Sequence, residues 1–244
     1  MAGPVGEIWF EDDPDSALLI KYLFTSAKLS IQVHPSDQQA RAIGHPRGKD
    51  EAWYVISAEP EAVIGAGFDK ALTADELHSA ALDGSIDTLM TWHKVNPGDF
   101  FYVPAGTVHA IGAGVSLLEI QQNVDLTYRL FDYGRPRELQ LEEGLAVSKP
   151  EPFAHCQRDV ATAPREMLAA GPKLVIERLM GPSDQAILAT AESPGWLIPI
   201  AGTCRINGTT LPVGSVWLTD TPTNVQLGPD DCLIAAAAGS ELGG

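Results

Sequence analysis

The chain is a succession of short segments with strand chemistry, and glycine or proline separates most of them. Leu29 to His34, Trp53 to Ser57, Ala62 to Gly67, Phe100 to Val103, Ser116 to Gln121 and Leu126 to Phe131 either alternate apolar and polar residues or are rich in β-branched and aromatic ones. Many short strands punctuated in this way predict a mainly β sandwich or barrel rather than a parallel α/β sheet.

Two helices interrupt the pattern. Thr73-Ala74-Asp75-Glu76 is a capping box, with Leu72 and Leu77 placed as its hydrophobic staple, and the helix it opens is expected to end near Asp83-Gly84. A second helix is expected from about Leu139 to Val147, stopped by Lys149-Pro150-Glu151-Pro152. That proline-rich stretch, with Pro164 and Gly171-Pro172, marks a domain boundary. The expected division is a first domain over 1-150 with a helical insert near 73-90, a linker over 151-171, and a smaller β-domain over 172-244. In the latter, Asn207-Gly208 supplies the positive φ values of a type I′ hairpin turn.

A length of 244 residues with 45% hydrophobic and 20% charged residues is ordinary for a soluble globular protein. The formal net charge of −16 argues against nucleic acid or an anionic membrane as partner, because both would be repelled at long range. No stretch approaches the roughly eighteen apolar residues of a membrane span, and the N-terminus lacks the pattern of a secretory signal. The three cysteines, Cys156, Cys204 and Cys232, have no metal spacing and an odd count, so they read as reduced core thiols. A cytoplasmic location is the expectation.

Read as a strand, Leu29-Ser30-Ile31-Gln32-Val33-His34-Pro35 puts Ser30, Gln32 and His34 on one face. That face is either solvated or a binding surface, since burying an amide and an imidazole costs a few kcal/mol, about 2 or more, unless they gain partners. Downstream, Lys49 and Glu51 share a face, and Gly98-x5-Pro104-x-Gly106-x2-His109 reads as a strand, a tight turn and a histidine at the next strand. Two imidazoles, one carboxylate and one amide oxygen suit a divalent metal such as Zn²⁺, and Fe²⁺ or Mn²⁺ would also be held.

The glycine-proline-glycine-histidine pattern ending at His109 resembles the second cupin motif. Gln32-x-His34 followed by Glu51 resembles the first, with glutamine in place of its first histidine. Together with the segment Leu118-Glu119-Ile120-Gln121-Gln122-Asn123-Val124-Asp125-Leu126-Thr127-Tyr128-Arg129, these motifs resemble the type I mannose-6-phosphate isomerases in their short bacterial form, over roughly residues 6 to 150. The chain starts almost at Gly6-Glu7-Ile8-Trp9, without the additional N-terminal stretch of longer members. The resemblance implies a cupin (double-stranded β-helix, jelly-roll) barrel followed by a degenerate cupin-like β-domain, which contains no histidine and so cannot repeat the metal site.

The same resemblance implies one zinc ion on Gln32, His34, Glu51 and His109, with Gln32 the weaker ligand. It implicates Arg129 in the chemistry, ties Ser30 and Lys49 to substrate or phosphate, and places Glu119 and Asp125 beside them with roles open. The implied activity interconverts mannose 6-phosphate and fructose 6-phosphate through an enediol, by a monomer or homodimer. Such a site needs a base, charge stabilisation and a grip on phosphate. Lys49 is the first candidate base and Glu119 the second, with a pure phosphate-ligand role the rival for Lys49. A non-catalytic sugar-binding cupin and a cupin iron dioxygenase are the alternatives. His45, His78, His93 and His155 are expected to lie outside the site, His45 and His78 at the surface; Trp53, Tyr54 and Tyr102 are expected to pack the core. Arg135 and Arg137 are either solvated charges or a help in steering phosphate against the acidic field.

Overall fold

The computed structural model describes residues 5–10, 15–154, 156–157, 163–171, 173–239 and 242. It is mainly β, and it divides into two compact units, residues 1–159 and 160–244. The expected linker boundary at Pro172, like His155, lies outside the described residues.

In the first unit the elements run β1 (Glu7–Phe10), β2 (Leu18–Phe24), β3 (Ile31–Val33), α1 (Asp37–Ala42), β4 (Glu51–Ala58), β5 (Val63–Phe68), α2 (Ala74–Asp83), α3 (Ile86–Leu89), β6 (Met90–Lys94), β7 (Phe100–Val103), β8 (His109–Ile111), β9 (Val115–Gln122), β10 (Tyr128–Phe131), α4 (Leu141–Val147) and β11 (Cys156–Gln157). They form two antiparallel sheets, ordered β1-β2-β9-β4-β7-β11 and β10-β3-β8-β5-β6. Leu23, Trp53, Val55, Phe101, Val103 and Leu117 from one sheet share a buried cluster with Ile64 and Ile111 from the other, so the sheets close on a common core.

The second sheet is also covered on its outer face. Ile31, Val33, Phe68, Ala110 and Leu130 pack with Leu77, Ala80 and Ala81 of α2 and Val147 of α4. Ile31 and Val33 point to the helices, and on the opposite face Ser30 and His34 are buried and Gln32 half-buried, which overturns a solvated face for this segment. Both bonds of the capping box at Thr73 and Glu76 form, and Gly84 closes α2 in the left-handed conformation. Leu72 and Leu77 sit in one cluster, as a staple requires.

Helix α1 carries a second capping box, from Ser36 to Gln39, that was not anticipated. Strands β1 and β2 were also missed, because the run Leu18–Phe24 is apolar almost throughout and its period is unreadable.

The second unit contains β12 (Arg165–Ala170), β13 (Val175–Met180), β14 (Ser183–Ile187), β15 (Gly195–Ala201), β16 (Cys204–Ile206), β17 (Thr209–Leu211), β18 (Trp217–Thr219), β19 (Thr223–Leu227) and β20 (Cys232–Ala237). Two antiparallel sheets, β12-β13-β20-β15-β18 and β14-β19-β16-β17, enclose an apolar core of their own. Asn207 and Gly208 turn β16 into β17 with φ of 48° and 83°. Cys204 and Cys232 are buried and in no disulfide, and burial pushes the Cys204 thiol up to about 12.

Candidate metal and substrate site

Polar side chains from both sheets of the first unit meet inside the barrel. The register places Arg129 of β10, Gln32 of β3 and His109 of β8 in one row across neighbouring strands. In the other sheet, Lys21 of β2, Glu119 of β9 and Trp53 of β4 form a row, and Glu51 pairs with Gln121 beside it. Residues in such a row share a face. His34 follows β3 directly, and Lys49 precedes β4 by two positions.

His34, Glu51 and His109 form the centre, with ligand atoms all within 4.8 Å of one another and at most 1% exposed. Glu51 Oε2 lies 3.4 Å from His34 Nε2, and Oε1 lies 3.1 Å from His109 Nε2. The other ring nitrogens face backbone carbonyls: His34 Nδ1 is 3.0 Å from the oxygen of Leu126, and His109 Nδ1 is 2.9 Å from that of Thr107. A carbonyl oxygen only accepts, so each Nδ1 carries the hydrogen and each Nε2 presents a bare lone pair to the carboxylate.

Charge follows from burial. Burial, with Lys49 nearby, pushes the His34 imidazole down to about 3. Burial also lowers His109, against the opposing pull of Glu51. Burial raises Glu51, but Lys49 foremost outweighs it and holds the carboxyl well below its ordinary range. Two neutral imidazoles thus face an anionic carboxylate, lone pair against lone pair. Neither Glu51 oxygen accepts a hydrogen bond of good geometry, although Lys49 Nζ lies 2.9 Å from Oε2 as a buried charge pair. Electron-rich atoms converging in this way fit a divalent cation.

Gln32 stands at the edge of this cluster. Its Nε2 is 3.3 Å from His109 Nε2, and its Oε1 accepts from Ser30 Oγ at 3.2 Å. The amide nitrogen, not the oxygen, faces His109, so ligation by Gln32 requires the amide to turn over. Lys49 is 5% exposed and 3.3 Å from His34 Nε2. Burial lowers it, but Glu51 and Glu119 outweigh burial and raise it, so it is an ammonium. Glu119 accepts from Trp53 Nε1 at 3.1 Å. Arg129 keeps its Nε buried and unbonded, and Asp125 is exposed.

Two buried polar residues that motif spacing does not reveal also line the barrel. Lys21 is buried against Glu119, with Nζ 3.4 Å from Oε1. Gln121 is fully buried, donates to the carbonyls of Gln122 and Val124, and leaves Oε1 without a donor. A single lysine inside Leu18–Phe24 was the available signal for the first. Among the expected bystanders, His45 and His78 are partly exposed, and His93 packs edge-on against Phe101 and Phe153. Trp53 and Tyr54 pack the core. Arg135 and Arg137 are not simply solvated: both donate to the buried Asp132 carboxylate.

A search for family models finds no match. The chain is 47% identical over 137 residues to mannose-6-phosphate isomerase ManA of Bacillus subtilis, covering 53% of this chain and 43% of that protein. It is 44% identical over 142 residues to mannose-6-phosphate isomerase of Streptococcus mutans, covering 54% and 45%. Over just over half of its length the chain is similar to the mannose-6-phosphate isomerases. It spans about half the length of the curated relatives it matches. The crystal structure of mannose 6-phosphate isomerase from Bacillus subtilis superposes with a TM-score of 0.72 at 26% identity, over 91% of this chain and 75% of that one. The cupin fold of these isomerases extends through both units, and the metal cluster lies in the first.

Among the described residues no helix is long and apolar enough to cross a membrane.

Proposed function

We propose that this chain interconverts mannose 6-phosphate and fructose 6-phosphate through an enediol. The observation that carries the reading is the buried cluster of two neutral imidazoles and one carboxylate, set in a chain homologous to isomerases of that name. His34, Glu51 and His109, with Gln32 turned to offer its oxygen, would hold the metal, zinc in the first instance. A bound divalent ion would supply Lewis-acid stabilisation of the developing negative charge.

The protein's own groups do the rest. Arg129 brings a fixed positive charge into the row of Gln32 and His109, and its unbonded Nε is available to a substrate oxygen. Lys49 reaches the depth of the cluster and moves the proton between C1 and C2. Its ammonium state at rest means that it must shed a proton before acting as base. Glu119, tied to Lys21 and Trp53, is the second candidate for that transfer. Ser30, buried beside Gln32, would offer its hydroxyl to a substrate or phosphate oxygen, and the exposed Asp125 would accept from a substrate hydroxyl. The protein works in the cytoplasm as a monomer or homodimer on a small sugar phosphate.

A coupled assay tests this. Supplied with mannose 6-phosphate, the purified protein should produce fructose 6-phosphate, lose activity on chelation and regain it with zinc. No activity under any metal would sink the proposal. Two histidines and one carboxylate are also the donor set of iron oxygenases, so metal analysis that found iron in place of zinc, with no isomerase activity, would favour that second reading.

A further inference from the structure

We propose that Asp50 is a positioning residue that sets the metal affinity of the site, by tying Glu51 to the turn that aims His109. The inference rests on the reading of His34, Glu51 and His109 as metal ligands. Asp50 lies between Lys49 and Glu51, and alternation along the chain carries its carboxylate away from the cluster. One oxygen, Oδ2, accepts from Tyr102 Oη at 2.6 Å, and the other, Oδ1, accepts from the backbone N–H of Ala105 at 3.1 Å. Its backbone is also held on both sides: Asp50 N–H donates to Gln122 Oε1, and the N–H of Gln122 donates to the Asp50 carbonyl, each at 3.0 Å.

Ala105 belongs to the turn Pro104–Thr107, and this turn touches His34 and His109 directly and Glu51 through its neighbour Asp50. The N–H of Gly106 donates to the carbonyl of His34 at 2.8 Å. The carbonyl of Thr107 accepts from His109 Nδ1 at 2.9 Å and so fixes the ring that presents Nε2. The Asp50 carboxylate closes the remaining link, from Ala105 to the residue preceding Glu51. The turn is closely packed, with Gly106 at a φ of +91° and Lys149 and Val147 3.1 Å from where a Cβ would be. Hydrogen bonds to a carboxylate are about twice as strong as neutral ones, and metal–ligand distances tolerate errors of only about 0.2 Å. Glu51 is also paired with Val103 just before the turn, so the Asp50 carboxylate adds a side-chain tie to a backbone one, and loosening it acts on the aim of the ligands, and so on affinity for the metal, before it acts on the fold.

The experiment measures zinc binding to the full chain by competition with a chromophoric chelator, alongside circular dichroism of the metal-free proteins. Asp50→Ala should bind zinc about 10- to 100-fold more weakly than wild type. Asp50→Asn should recover most of the loss, because its amide oxygen still accepts from Ala105. Tyr102→Phe should lose several-fold. Glu61→Ala, which removes a carboxylate at an 89% exposed side chain, should change nothing, separating position from net charge. Zinc affinity of Asp50→Ala within twofold of wild type overturns the proposal. If that variant does not fold, Tyr102→Phe decides, and an unchanged affinity there overturns it. A wild-type protein that binds no zinc instead removes the metal-site reading, and this inference with it.

Discussion

Lys21 and Glu119 oppose each other across β2 and β9 with Nζ 3.4 Å from Oε1, and both side chains are almost removed from solvent. Trp53 holds the other carboxylate oxygen from β4. Breaking a buried pair leaves an uncompensated charge. Lys21→Met should therefore destabilise the protein by about 3–5 kcal/mol, whereas the double change Lys21→Met with Glu119→Gln should recover much of that. Urea unfolding measures both. A Lys21→Met variant within about 1 kcal/mol of wild type would show that the pair carries no such burden.

The ligands should differ in weight. His109→Ala removes a lone pair already aimed at Glu51, and zinc affinity should fall at least about a hundredfold. Gln32→Ala removes a neutral amide whose nitrogen faces His109, and should cost about tenfold or less. Calorimetric titration of both variants tests the ranking, and equal losses would contradict it.

Acid should unfold the metal-free protein early. The folded His34 titrates near 3 against an ordinary 6.5, so between those values the unfolded chain binds a proton that the folded one refuses. Stability present above 6.5 is then lost as pH falls, approaching about 1.4 kcal/mol per pH unit for that residue. His109 and Glu51, both lowered, act in the same direction. Chemical denaturation at pH 7, 6 and 5 in the presence of chelator should show a steepening loss, reduced in His34→Gln. A flat profile would contradict the neutral-imidazole assignment.

Lys49 has a direct kinetic test. Lys49→Met should retain zinc, because Lys49 is not a ligand, and should abolish deuterium exchange at the substrate's C2. Exchange at the wild-type rate would remove Lys49 as the base and leave Glu119.

Much of the site is legible in the chain because ligands on a strand announce themselves by alternation and by the turn that follows. Gln32 and His34 flank Val33, Glu51 opens a strand two residues after Lys49, and Pro104 and Gly106 precede His109. The capping box at Thr73 and the turn at Asn207-Gly208 are equally local, since each depends on residues within four positions. How far His45 and His78 are covered is not local, since a loop or helix histidine is covered or exposed by whatever packs over it.

What the sequence by itself determined is thus the donor set, the β architecture and the kinship that proposes an activity. Only the tertiary structure decided the state of those donors. The tautomers of His34 and His109 depend on the carbonyls of Leu126 and Thr107, the first of them 92 positions from its histidine. The partner of Lys21 is 98 residues away, and the clamp on Asp50 comes from the strand and turn at Tyr102 and Ala105. Backbone periodicity reports which way a side chain points. Charge state and aim are set by what burial brings against it, and that is a property of the closed barrel.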